Sequence, residues 1–102
     1  MRFTSTFVAF AMASFATAAV HFGGLCVDNV AGKNVYNDAA TKDSCINYQV
    51  RNTGSKPWDT CPDCTVKEVG GLTYCNSEAK HIGGDELNYY CKQNGADGSL
   101  AD

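Results

Sequence analysis

Much that would announce a familiar activity is scarce or missing from this 102-residue chain. Only two prolines occur, Pro57 and Pro62, so none stands downstream of the Cys61-Pro62-Asp63-Cys64 motif, where dithiol oxidoreductases place a cis-proline. No adjacent cysteine pair is present, which argues against a hydrophobin. Six cysteines rather than eight argue against the haem-binding CFEM type, and the lack of a Cys-x-Cys counts against defensin-like scaffolds. There is no Asn-x-Ser/Thr sequon, so N-glycosylation is not expected. No Gly-x-Ser-x-Gly elbow offers a serine nucleophile. Basic charge is sparse, with 8 Lys and Arg against 11 Asp and Glu. Scattered singly, those cations give no electrostatic footprint for nucleic acid or an anionic membrane and disfavour a cationic toxin.

What is present begins with a leader. Arg2 precedes the apolar run Phe7 to Phe15, and Ala16-Thr17-Ala18 supplies small residues at alternate positions, the pattern signal peptidase accepts. Residues 1–19 read as a cleaved signal peptide and 20–102 as a single secreted, extracellular domain. The apolar run is too short to span a bilayer as a mature helix, and no second one follows, so no membrane association is expected after cleavage. Losing Arg2 takes the formal net charge from −3 to −4 over the remaining 83 residues.

Ordering a chain this short costs on the order of 100 kcal/mol of conformational entropy, and small domains bury a lesser share of their surface. Covalent staples help to decide the balance. Cys26, Cys45, Cys61, Cys64, Cys75 and Cys91 are even in number, spread along the mature chain and bound for an oxidising compartment, so three disulfides are expected. Six cysteines allow 15 pairings.

The local signals describe an α+β domain, small, disulfide-stapled, with two β-hairpins and one or two short helices. Leu25 to Val30 and Asn34 to Tyr36 are β-prone segments joined through Ala31-Gly32-Lys33. Gly70-Gly71 links Thr65 to Val69 with Leu72 to Cys75 as a second hairpin. Between them, Asn37 or Asp38 caps a helix that Gly54 stops, with Asp38 four residues before Lys42 and Arg51 toward the far end. Ala39, Ile46 and Val50 share one face of it, while Cys45 and Tyr48 point elsewhere, so both sides are expected to meet protein through packing or a bridge. Asp85 to Gln93 fits helix or strand; Asp85 as a cap and Gly95 as a stop favour helix. From Asn94 onward the chain is expected to be mobile.

Chemistry-bearing groups are few. The CPDC motif could be a redox dithiol, but Gly70-Gly71 breaks the chain six residues after Cys64, where a long helix would be needed. Asp59 and Asp63 would also raise the pKa of a nearby thiol. Cys61 and Cys64 are therefore expected each to pair with a cysteine distant in sequence, fixing the Trp58 loop to the core. Two knuckles are wanting for structural zinc. A mature chain starting at His21 could chelate copper through its amine and imidazole with His81 as partner, although cleavage after Val20 is disfavoured. Asp85 and Glu86 are adjacent and do not converge on a helix, so capping or solvation explains them better than acid–base catalysis. No metal, cofactor or catalytic residue is assigned. Trp58, Tyr89 and Tyr90 are of the types enriched at interface hot spots and form the binding candidates, with core packing as the competing explanation.

The leader, the segment Asn34-Val35-Tyr36-Asn37-Asp38-Ala39-Ala40-Thr41-Lys42, the CPDC and the closing run from His81 to Cys91 together resemble fungal small secreted cysteine-rich proteins. That resemblance implies a non-enzymatic effector or elicitor that binds a host or environmental partner, whether a host protein, a glycan or another copy of the chain. The alternatives are a secreted copper-binding protein using His21 and His81 and a thiol–disulfide redox protein using the CPDC.

Overall fold

Two tight turns set the frame. In the computed structural model, which describes residues 20–102, strands β2 (Gly23–Val30) and β3 (Lys33–Tyr36) are joined by Ala31 and Gly32. Strands β4 (Thr65–Val69) and β5 (Leu72–Asn76) are joined by Gly70 and Gly71. All four turn residues have positive φ, the left-handed pair that matches strand twist in a two-residue hairpin. Both expected hairpins are therefore present. The proposed leader, Met1 to Ala19, lies outside the described residues.

Strand β2 is the centre of the main sheet. Gly24 pairs with Cys75 of β5 on one side and with Ala101 of β7 (Gly98–Ala101) on the other. Val27 pairs in the same way with Tyr36 of β3 and Gly98. Strands β3 and β5 thus lie end to end along one side of β2, β7 lines the opposite side, and β4 flanks β5. A separate two-stranded ribbon pairs β1 (Val20–His21) with β6 (Ile82–Gly83).

The strand at the C-terminal end corrects the expectation of a mobile tail. Asp97 donates to the Val27 carbonyl, Asp102 donates to Gly23, and the Asp102 carboxylate accepts the Phe22 and Gly23 amides at 3.1 Å. Its small residues reflect close packing rather than looseness. A Cβ on the paired Gly24 would come within 2.4 Å of Leu87, so this part of the sheet runs too close to a helix for larger groups.

Two helices cover one face of the sheet. Helix α1 (Asp38–Gln49) is capped by Asn37, whose side chain accepts the Ala40 amide at 3.0 Å. Its inward face is Ala40, Thr41, Ser44, Cys45 and Tyr48, whereas Ala39, Ile46 and Val50 are exposed. Of the two sides expected to meet protein, the one with Cys45 and Tyr48 does so and the face of Ala39, Ile46 and Val50 does not. Thr41 and Ser44 turn inward because their hydroxyls find partners: Thr41 Oγ1 accepts the Cys26 amide at 2.8 Å and Ser44 Oγ accepts from Asn94 at 3.1 Å.

Helix α2 (Gly84–Gln93) settles the ambiguous segment as helix, burying Leu87 and Cys91 one turn apart. Its N-cap is Gly83, with no side-chain cap bond, rather than Asp85. Asp85 and Glu86 instead occupy the first turn, where negative charge complements the helix dipole. Gly95, at φ +93, follows the C-cap.

Sulfur holds these layers together. Cys26–Cys91 ties β2 to α2, and Cys45–Cys75 ties α1 to β5. The third bridge is Cys61–Cys64, which overturns the expectation that each pairs with a distant cysteine. A turn in which the Cys64 amide donates to the Cys61 carbonyl brings their Cα atoms to 5.3 Å, within disulfide range. The carboxylates of Asp59 and Asp63 bear on whether these thiols react, not on which sulfur each one meets. All six cysteines belong to the central buried cluster, with Ala40, Tyr48, Ile82, Leu87 and Ala96 completing it. The domain is α+β and disulfide-stapled.

Candidate functional site

The end of α1 and the first turns of α2 meet at a cleft of about 480 Å³. Arg51 and Thr53 form one wall, and Asp85, Glu86, Tyr89 and Tyr90 the other. The helical repeat places Asp85 with Tyr89 and Glu86 with Tyr90, four residues apart in each case. Both carboxylates therefore border the same opening, although their side chains do not converge on a single point.

The aromatic pair is fixed from behind. Tyr90 packs against the core, with its ring centroid 5.7 Å from that of buried Tyr48. The Arg51 guanidinium lies 5.8 Å from the Tyr90 centroid, a cation–π contact. Arg51 is itself oriented by a 3.3 Å hydrogen bond from Nε to Thr53 Oγ1. Tyr89 meets Tyr90 edge-on at 5.2 Å and remains 55 % exposed. A rigid aromatic platform thus faces solvent beside charged hydrogen-bonding groups.

Loss of water raises the Glu86 carboxyl above its usual range; a bond from its own amide opposes this, Asp85 and Asp59 push it further up and Arg51 pulls it down. Burial pushes the Tyr48 hydroxyl up to about 12, so it stays a neutral phenol that both donates and accepts.

Trp58, the third aromatic binding candidate, does not line the cleft with the two tyrosines. It sits behind, half-buried. Its carbonyl accepts from the Tyr48 hydroxyl, and a Cβ on Gly83 would lie 2.8 Å from Trp58 Cβ. Arg51, which the sequence offered only as a helix-end charge, lies just beyond α1, and no local signal places it over Tyr90; the packing of the two helices does.

The histidines serve separate contacts. His21 Nδ1, the nitrogen a copper chelate would need, donates to the Asp102 carbonyl, and His81 Nδ1 donates to Pro57 at 2.8 Å. The sulfurs of Cys45, Cys64 and Cys75 lie within 4.8 Å of one another, but all three are disulfide-bonded and offer no thiolate to a metal. The CPDC runs directly into β4 at Thr65, so no helix N-terminus is present to stabilise a Cys61 thiolate. A second concavity of about 300 Å³, on the sheet face away from the helices, is lined mainly by Leu25, Leu72, Tyr74 and Leu100. It gathers fewer polar groups than the helix-end cleft.

Neither a curated protein nor a solved structure matches the chain. A family model does, over residues 19–99, and its description names secretion and biotrophy but no catalytic activity. The secretory leader pattern, the three bridges and this match over most of the sequence agree: the chain is a small secreted, extracellular protein of the fungal effector type, and it belongs to the family of biotrophy-associated secreted protein 4.

Proposed function

We propose that the protein acts outside the cell as a non-enzymatic recognition module, an effector that engages a host protein or glycan through the cleft between α1 and α2. The observation that carries this reading is the Tyr89 ring, exposed yet braced edge-on against Tyr90. A pre-ordered aromatic anchor with a polar rim loses little side-chain entropy on binding and concentrates affinity in a few contacts. The biotrophy association in the family description supports a role in contact with a living host. The carboxylate arrangement supports binding rather than hydrolysis. Asp85 and Glu86 are neighbours on one helix, whereas glycoside cleavage places two carboxyls on opposite sides of a bond.

The test is capture from host extract with wild type, Tyr89→Ala and Arg51→Ala, each checked for an unchanged circular dichroism spectrum. Tyr89→Ala should lose the captured partner by tenfold or more in affinity, about 1.4 kcal/mol. Equal capture by wild type and both variants would remove the cleft from the account.

A further inference from the structure

Cys64 belongs to one disulfide and lies beside another. Its sulfur is within 4.8 Å of both Cys45 and Cys75, which are bonded to each other, while its own partner is Cys61. Cys26–Cys91 is not part of this group. We propose that Cys45, Cys61, Cys64 and Cys75 form one exchangeable four-sulfur unit, in which Cys64 trades Cys61 for Cys45 or Cys75 and the chain passes between two disulfide isomers.

The exchange is balanced and needs only a small-molecule thiol such as glutathione as initiator. Its thiolate attacks Cys61 Sγ, forming a mixed disulfide, and the bonding pair leaves with Cys64 as thiolate. Cys64 attacks the Cys45–Cys75 bond, taking one sulfur and releasing the other as thiolate. That thiolate attacks Cys61 in the mixed disulfide, bonds to it and expels the initiating thiol unchanged. No net oxidation occurs.

The direction of the first cleavage is built into the loop. Cys61 Sγ lies 3.8 Å from Asp63 Oδ1. Asp63 is held there by donors from Ser77 Oγ at 2.7 Å and Ala79 N at 2.8 Å. A carboxylate at that distance opposes negative charge on Cys61, so Cys64 is the better leaving sulfur, and Cys64 is the one next to the second bridge. All four sulfurs are buried, so the thiol enters through local opening of residues 51–60, which carry no helix or strand. In the exchanged isomer the direct staple between α1 and β5 is gone, and both elements are tied to the loop instead.

Cys61→Ser tests this without added thiol, because it leaves Cys64 without its partner. Alkylation of the secreted variant, followed by non-reducing digestion, should recover Cys64 bridged to Cys45 or Cys75, with the label on the displaced cysteine. Label on Cys64 alone, with Cys45–Cys75 intact, would overturn the proposal. Should that variant not be secreted, wild type held in a reduced and oxidised glutathione mixture gives the same readout. Cys64-linked peptides to Cys45 or Cys75 should appear while Cys26–Cys91 persists. Accumulation of glutathionylated Cys61 or Cys64 beside an intact Cys45–Cys75, or scrambling of Cys26–Cys91 at the same rate, would refute it.

Discussion

The Tyr48 hydroxyl accepts the amide proton of Gly83 at 3.1 Å. The same oxygen donates to the Trp58 carbonyl and lies 3.2 Å from that of His81. One phenol at the end of α1 therefore fastens the Trp58 loop and the β6–α2 junction, the two segments that back the cleft. Tyr48→Phe keeps the ring but orphans a buried amide and a carbonyl. It should cost about 1–3 kcal/mol, read as a lower urea midpoint together with faster hydrogen exchange at Gly83.

Gly83 is constrained by space rather than by backbone angle. Its φ of −86° suits any residue, but a Cβ there would come within 2.2 Å of Glu86 Oε1 and 2.8 Å of Trp58 Cβ. Glu86 can swing aside, whereas the Trp58 stem is fixed to its backbone. Gly83→Ala should destabilise by about 1–3 kcal/mol and shift the tryptophan emission to the red as the loop lifts.

Two carboxyls should give opposite pH signatures. The Glu86 pKa is raised above 4.5, chiefly by desolvation, so its stabilising contribution is complete below that value and is lost as pH rises through the folded pKa. Partial burial pushes Asp63 up, but bonds from Ser77 and Ala79 and the influence of His81 outweigh it and leave its pKa below 3.8. Its contribution is present above 3.8 and is lost as pH falls through the folded pKa. Unfolding midpoints measured against pH should change slope above 4.5 in Glu86→Gln and below 3.8 in Asp63→Asn.

The bridges should differ in worth according to the loops they close. Cys26–Cys91 spans 65 residues and Cys61–Cys64 spans 3. The chain-entropy relation gives about 4 kcal/mol for the first and about 2 for the second. Replacing Cys26 and Cys91 together by alanine should lower the melting temperature well beyond the equivalent change at Cys61 and Cys64, as calorimetry would show.

The sequence disclosed most where a conformation is decided by neighbours in the chain. Gly70-Gly71 and Ala31-Gly32 specify their turns, and Asn37 its cap, without reference to the rest of the molecule. It misled where distant partners decide. The inward face of α1 carries Thr41 and Ser44, which only Cys26 and Asn94 make acceptable inside. Strand β7 contains little that is β-prone, and its register comes from β2, some seventy positions earlier. The two cleft tyrosines could be singled out by type, but Arg51 joins Tyr90 only because α1 and α2 pack together, and Trp58, chosen on the same ground, lies in a separate loop that Tyr48 fastens through the Trp58 carbonyl.

The pairing of β2 with β7 also orders events during synthesis. The central strand emerges early, yet its outer neighbour is made only when residues 98–101 appear, and Cys26 waits through 65 further residues for Cys91. Until Cys75 appears, Cys26 and Cys45 share the secretory lumen with no native partner for either. Premature pairing between them is the expected detour, so production of this protein should depend on a disulfide isomerase, and a secretion host lacking one should yield mostly misbridged material.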